Sequence, residues 1–291
     1  MDNPLIKYLA FVKTVEKGSF TKAAESLDYA QSSVSKMIAD LEDEWGMTLL
    51  ERNRNGVCVT SAGTQVLPYL RRVLSGYSNL EGQILQMQGI ETGVVRIGTF
   101  SSVAINLLPD VFAKLQKDYP GIEYEMLLGD YTEVESWIDE GRVDCGFLRL
   151  PAKQHFDTIP LIQDEYKVVL PQGHPLAKNK TIEIEALNGL PFLLLEHGGK
   201  TEVTDLLERY NISPDIRFTT WEDFAIMSMA EKGLGVGILP GMILQRIPYK
   251  IEIRPLKRPY LRTVGLVMKS SKNLTPAVKK FIEYLPPFKK I

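Results

Sequence analysis

Ser19-Phe20-Thr21-Lys22-Ala23-Ala24-Glu25-Ser26-Leu27, then Tyr29-Ala30-Gln31-Ser32-Ser33-Val34-Ser35-Lys36, then Leu41-Glu42-Asp43-Glu44-Trp45-Gly46, is the stretch on which the fold turns. Residues 19–46 fit two short helices joined by a tight turn. Val34, Ile38, Leu41 and Trp45 are spaced four, three and four, as a helix buried on one face requires. Ser32 and Lys36 fall on the opposite side, with Gln31 and Ser35 on the flanks of the first turns. Hydroxyls, an amide and one cation suit a helix entering the major groove, where base edges offer donors and acceptors. Asp40, Glu42, Asp43 and Glu44 come later, and phosphates repel them, so only the leading half can face DNA. The pattern is degenerate, because any compact helical pair has one polar face.

The flanks sharpen this reading. Residues 5–17 place Leu5, Leu9 and Val12 along a helix, widened by Tyr8, Phe11 and Val15, and Gly18 stops it before Ser19 caps the next. Thr48 to Arg52 and Val57 to Thr60 read as short strands around Asn53-Arg54-Asn55-Gly56, where Asn-Gly is a strong hairpin signal. The tip carries Arg52 and Arg54. Alone it is a solvated turn; beside a recognition helix it becomes a wing touching phosphate or minor groove. Thr60 then caps a long helix in which Val66, Leu70, Val73, Tyr77, Leu80, Ile84 and Met87 alternate in steps of four and three. This is a heptad seam, the pattern by which one long helix pairs with another, and it would supply the two-fold symmetry of a pseudopalindromic site. Pro68 predicts a kink or a frayed start.

Gly89 to Gly93 breaks the helix, and strands and helices alternate beyond it. Strands are expected at 94–100, 122–128, 144–148, 167–170, 192–195, 235–239 and 263–269. Helices are expected at 103–118, 131–140, 201–210, 222–232 and 276–285. The rhythm predicts an α/β unit with a mostly parallel sheet.

Several motifs together carry a resemblance. Gly18 to Phe20, Ala23-Ala24, Gln31, Val34-Ser35-Lys36, Leu41-Glu42 and Gly46 resemble the winged helix-turn-helix of LysR-type transcriptional regulators. Thr60 with Ala62-Gly63 matches that family's signature after the wing. Ala30 departs from it, standing where a Ser or Thr helix cap is usual, and Trp45 replaces a leucine. The C-terminal two-thirds resembles the family's effector-binding domain, similar in fold to type 2 periplasmic binding proteins. Its markers include Val95-Arg96-Ile97-Gly98, Leu108-Pro109, Tyr119-Pro120-Gly121, Gly173-His174-Pro175-Leu176 and Gly235-Val236-Gly237-Ile238-Leu239-Pro240. The resemblance implies a DNA-binding domain at 1–60, a dimerising linker helix at 61–89 and an effector domain at 90–291. Within the last it implies one subdomain of 94–164 plus 267–291 and another of 165–266, with a ligand cleft between. It further implies binding to double-stranded promoter DNA as a homodimer or homotetramer, with Gln31, Ser32, Ser35 and Lys36 on the DNA.

Ligands of open α/β sheets sit beyond the strand carboxyl ends, where helix N-termini converge. Ser101 and Ser102 open one helix there, Gly199-Lys200-Thr201 a second, and Trp221, Glu222 and Phe224 a third; Gly129, Asp130 and Arg149 lie at other strand ends. The family resemblance adds Val103 and supports Ser101, Ser102, Arg149 and Thr201 as effector contacts. Helix N-termini with Arg149 or Lys200 favour a carboxylate, while Asp130, Glu196 and Glu222 leave room for an amino acid.

Composition narrows the alternatives. The chain has 291 residues, a formal charge of −2 and ordinary apolar and charged fractions. Residues 1–90 hold nine Lys and Arg against ten Asp and Glu, so any nucleic-acid contact must be local. Two distant cysteines and three scattered histidines form no metal spacing and no disulfide framework, and neither metal nor cofactor is expected. No apolar run long enough to span a bilayer occurs, and residues 1–4 open no export signal, so a cytoplasmic chain is expected. An enzyme is not expected: Gly199-Lys200-Thr201 resembles a P-loop end, but Leu194 occupies the first glycine's place. A transport receptor would need no helix-turn-helix, and an adaptor pairing through the heptad helix would show no preference among DNA sequences.

Overall fold

The computed structural model describes residues 4–53, 56–88, 92–196 and 201–290. Helices α1 (Pro4–Lys17), α2 (Phe20–Ser26) and α3 (Gln31–Trp45) close around Phe11, Ala24, Val34, Ile38 and Leu41, all buried. The Ser19 hydroxyl caps α2, accepting from Lys22 N at 3.4 Å. Ala30 at the start of α3 makes no side-chain cap bond. Strands β1 (Leu50–Asn53) and β2 (Gly56–Val59) form the antiparallel ribbon that Asn-Gly predicts, with Arg52 opposite Val57. Glu42 anchors it: its Oε1 accepts from Leu49 N at 2.6 Å and from Leu50 N at 3.0 Å. One acid of the trailing half of α3 is thus bound inside the fold rather than turned to phosphate.

Helix α4 (Ser61–Met87) starts under Thr60, whose Oγ1 accepts from Gly63 N at 3.0 Å. A Cβ on Gly63 would stand 2.3 Å from the Leu49 carbonyl oxygen, so the first turn of α4 can approach β1 only with glycine there. Pro68 lies inside α4 without ending it. The heptad seam divides. Val66 and Leu70 pack into the N-terminal core, whereas Val73, Tyr77, Leu80, Ile84 and Met87 stand 43–88% exposed. The helix also touches the C-terminal unit, where Arg71 Nη1 lies 3.0 Å from Glu140 Oε2.

The C-terminal unit has two lobes. The first holds β3 (Thr92–Thr99), α5 (Ser101–Asn106), α6 (Leu108–Asp118), β4 (Gly121–Leu128), α7 (Tyr131–Asp139) and β5 (Cys145–Leu150). A long strand β6 (Asp157–Pro171) crosses into the second lobe. That lobe holds β7 (Pro191–Leu195), α8 (Glu202–Arg209), β8 (Asp215–Thr220), α9 (Asp223–Glu231), β9 (Val236–Pro240) and β10 (Ile251–Pro255). Strand β11 (Leu261–Met268) crosses back, and α10 (Pro276–Glu283) packs on the first lobe. One nine-stranded sheet runs β4-β3-β5-β11-β6-β9-β7-β8, with β10 paired to β6. Val95, Phe147, Leu266 and Phe281 share the first lobe's core; Val168, Phe192, Leu206 and Ile238 share the second's.

Three expectations change. The sheet is parallel only within β4-β3-β5 and β8-β7-β9; β6 and β11 join these trios antiparallel, because each crossing strand runs against its neighbours. The expected helix over 103–118 is broken at Leu107, since Pro109 supplies no backbone N–H to continue a helical ladder. Strands β8 and β10 and the first half of β6 carried no sequence signal. Strand β8 ends the sheet with Ile216 and Phe218 half-exposed, so no buried face imposes an alternation on it.

Candidate functional site

Two surfaces collect the residues singled out above. On α3 the apolar stripe faces inward, which turns Gln31, Ser32 and Lys36 outward at the leading end; Ser35 is half-buried. Arg52 lies in β1, which follows α3 directly; Arg54 lies outside the described residues. Of the trailing acids, Glu42 is held by the β1 backbone and Glu44 faces Lys7 Nζ at 3.6 Å. The outward cation of α3 therefore sits among hydroxyls and an amide.

The second surface is a cavity of about 220 Å³ between the lobes. It opens where β3, β4, β7, β8 and β9 end and α5, α7, α8 and α9 begin, as strand carboxyl ends in such sheets require. Ser101, Ser102 and Thr201 line it, together with Asp130, Glu196 and Trp221. Thr201 also caps α8: its Oγ1 accepts from Thr204 N at 3.4 Å and donates to Leu195 O at 3.2 Å. Asp130 caps α7 in the same way, accepting from Glu133 N at 2.7 Å.

Four proposed contacts stand elsewhere. Val103 is fully buried in the first lobe's core, next in the chain to the lining residue Ser102. Phe224 packs beside Tyr249 in the second lobe, and Glu222 turns back to cap α9, accepting from Phe224 N at 3.4 Å. Arg149 does not line the cavity but reaches from β5 across the cleft, its Nη1 3.8 Å from Glu202 Oε1. Gly199 and Lys200 lie outside the described residues.

The centre of the cavity is a buried network that the sequence did not disclose. β11 and β6 pair so that Arg262 stands opposite Asp164. Arg262 is 5% exposed and donates through Nε and Nη2 to Asp164 Oδ2 at 3.0 and 2.8 Å. Its Nη2 also donates to Ser102 Oγ at 2.9 Å and its Nη1 to the Tyr131 hydroxyl at 2.8 Å. The guanidinium lies 5.2 Å from the Phe100 ring centre and 5.7 Å from that of Tyr166. Asp164 Oδ1 accepts from Met242 N at 2.8 Å. Burial works against the charge on Arg262, but Tyr131, Tyr166, Asp164 and Glu202 around it hold the proton firmly. Burial pushes up the Tyr131 hydroxyl. Burial also raises Asp223, at the start of α9, to about 6, with Glu222 and Asp164 adding and Arg262 opposing. The partners Arg262 and Asp164 are 98 residues apart, and a lone Arg in a strand pattern announces nothing by itself.

Among the described residues no group of His, Cys, Asp and Glu could hold a metal ion. His155 pairs with Asp139, His174 caps a turn, and His197 lies outside the described residues. Nor is any described helix long and apolar enough to cross a membrane.

A helix-turn-helix with a ribbon wing, followed by a long helix and a two-lobed α/β unit enclosing a cavity, defines a class: DNA-binding transcriptional regulators that carry a substrate-binding type of domain. Residues 7–64 match the bacterial regulatory helix-turn-helix protein model of the lysR family, and residues 88–287 match its LysR substrate binding domain. The chain belongs to the LysR family of transcriptional regulators, not to an enzyme family. It is 32% identical over 276 residues to the HTH-type transcriptional regulator YvbU of Bacillus subtilis, covering 94% of each chain. It is 34% identical to the HTH-type regulator LrrA of Synechococcus elongatus, covering 93% of this chain and 92% of that one. In fold it is similar to a full-length OxyR variant of Pseudomonas aeruginosa, with a TM-score of 0.75 at 22% identity and 98% of both chains covered. It is also similar to full-length CbnR in complex with its target DNA, with a TM-score of 0.69 at 19% identity, covering 97% of this chain and 98% of that one.

Proposed function

We propose that this regulator binds pseudopalindromic promoter DNA as a homodimer or homotetramer in the cytoplasm and responds to a small molecule held between its C-terminal lobes. Gln31, Ser32, Ser35 and Lys36 contact bases and nearby phosphates, and Arg52 and Arg54 contact the backbone from the wing. The observation that carries this is the sidedness of α3, buried along Val34, Ile38 and Leu41 and polar at its outward leading end. Helix α4 pairs with its copy through the exposed run from Val73 to Met87. We divide the chain into a DNA-binding domain at 1–60, a linker helix at 61–89 and an effector domain at 90–291. Its lobes are 94–164 plus 267–291 and 165–266, with the second crossing drawn nearer Arg262, since Val264 and Leu266 pack in the first lobe's core.

Ser101, Ser102 and Thr201 are the effector contacts supported by their place on the cavity wall. Arg149, through its ion pair with Glu202, links the lobes and reports on their closure. An effector acts by preferring one arrangement of the lobes over another, since equal affinity for both shifts nothing. Footprinting the DNA upstream of the chain's own gene tests the reading. Protection of a site with inverted half-repeats, altered by a metabolite extract, is expected. Equal protection of random competitor at physiological salt refutes it.

A further inference from the structure

We infer that the cavity between the lobes takes a small organic cation, a ligand presenting a protonated amine on an apolar body, with Asp223 and Glu202 as its counter-charges. This rests on the reading of the cavity as the effector site and narrows its ligand class.

The first ground is charge. Among the described lining residues four are acids, Asp130, Glu196, Glu202 and Asp223, and one is basic, Arg262. Arg262 is already committed through the four hydrogen bonds described above, two of them to Asp164. An incoming carboxylate would have to break a buried pair to reach it, and uncompensated buried charge is costly.

The second ground is the state of the helix ends. Free helix N-termini attract anions, but three of the four that open on the cavity carry the protein's own carboxylates; only α5, a helix of six residues, begins without one. Asp130 and Glu133 occupy the start of α7, Glu202 and Asp205 that of α8, and Asp223 that of α9. The dipoles of the three longer helices, which would favour an anionic ligand, already have partners.

The third ground is unmet acceptors. Glu202 is 9% exposed; its carboxylate interacts with the Tyr131 hydroxyl, but its Oε1 is buried with no hydrogen bond, 3.8 Å from Arg149 Nη1. Asp223 Oδ1 is likewise buried without a hydrogen-bond partner. Buried acceptors left unmet cost free energy, and an ammonium brings three donors and the opposite charge. Phe100 and Tyr131, ring centres 5.1 Å apart and edge to face, and Trp221 supply aromatic surface for the apolar body. A zwitterionic amino acid brings the same ammonium together with a carboxylate for which the described lining has no uncommitted cation, so it ranks below the plain amine.

Thermal shift and calorimetry on the full chain at pH 7.5 and constant ionic strength test this with matched probes. These are 2-phenylethylamine against 3-phenylpropionate, butylamine against butanoate, and phenylalanine as the zwitterion. The amines are expected to raise Tm and the carboxylates to leave it unchanged, with phenylalanine between. Asp223→Asn should weaken amine binding at least tenfold, while Glu185→Gln, which removes an exposed acid away from the cavity, should keep it. If the carboxylates bind and survive Asp223→Asn, the ligand class is overturned while the effector reading stands. If no probe of either class binds, the ligand class falls, and a footprint insensitive to metabolite extract then brings down the effector reading as well.

Discussion

The two functional surfaces of this chain are built in opposite ways. At the N-terminus, Gln31, Ser32 and Lys36 lie close together in sequence, outward-facing and uninvolved in the core beneath them. In the C-terminal unit, Arg262, Asp164, Ser102 and Tyr131 come from four distant segments and bind one another, the first three buried and Tyr131 half-buried. A helix meeting DNA must leave its polar groups to its partner. A cavity between lobes must satisfy its own polar groups before any ligand arrives. Function and stability are therefore separable in the first region and entangled in the second.

The strongest way to break that contrast is Arg262→Met. It leaves Asp164 buried without its partner and should cost about 3–5 kcal/mol in urea unfolding; Asp164→Asn added to it should recover part of the loss. A variant as stable as the parent would show that the network is not holding the lobes together. Leu80→Asp comes next. It places a charge in the exposed seam, so light scattering should give the mass of a single chain and operator affinity should fall at least tenfold. An unchanged mass would remove the seam as the pairing surface. Leu70→Asp, in the same heptad pattern but 5% exposed, should instead unfold the N-terminal domain.

A smaller effect separates the regions by pH. Asp223 is raised to about 6 when folded, whereas an unfolded Asp titrates near 4. Its stabilising proton is fully bound below the unfolded value and is lost as pH rises through the folded one. Asp223→Asn should therefore stabilise the chain by on the order of 1–2 kcal/mol at pH 7.5 and by nothing at pH 4. Equal curves at pH 7.5 would mean that Asp223 ionises without strain. Ala30→Ser should add about 0.5–1 kcal/mol by capping α3, read as a rise in Tm. The smallest change in stability is expected of Lys36→Ala, within about 0.5 kcal/mol, although its operator binding weakens and its salt slope falls by roughly one. A large loss of stability in Lys36→Ala would erase the contrast between the regions.

What could be read in advance follows the same division. The stripe of Val34, Ile38 and Leu41, the Asn-Gly ribbon and the caps Ser19 and Thr60 are relations between residues a few positions apart. Hydrogen-bond geometry and helical period enforce these locally. Glu42 shows the limit even there, since its bonds to Leu49 and Leu50 depend on how the ribbon docks. In the C-terminal unit, Ser101, Ser102 and Thr201 could be placed on the cavity wall because they follow strands and open helices, which is a local sign. Val103, Glu222 and Phe224 share that sign but turn away from the cavity, because side-chain direction within a helix's first turn depends on what packs behind it.

The amino-acid sequence alone determined the order of most helices and strands, the polar leading end of α3 and the family. Each rests on short-range periodicity and on turn chemistry that water and backbone sterics impose. Only the tertiary structure decided that Arg262 faces Asp164, that Arg149 reaches Glu202 across the cleft, and that the heptad seam is core at Val66 and Leu70 and open surface from Val73 onward. Those outcomes depend on strand register and lobe packing, and both are set by contacts between residues too far apart in the chain for any local pattern to encode.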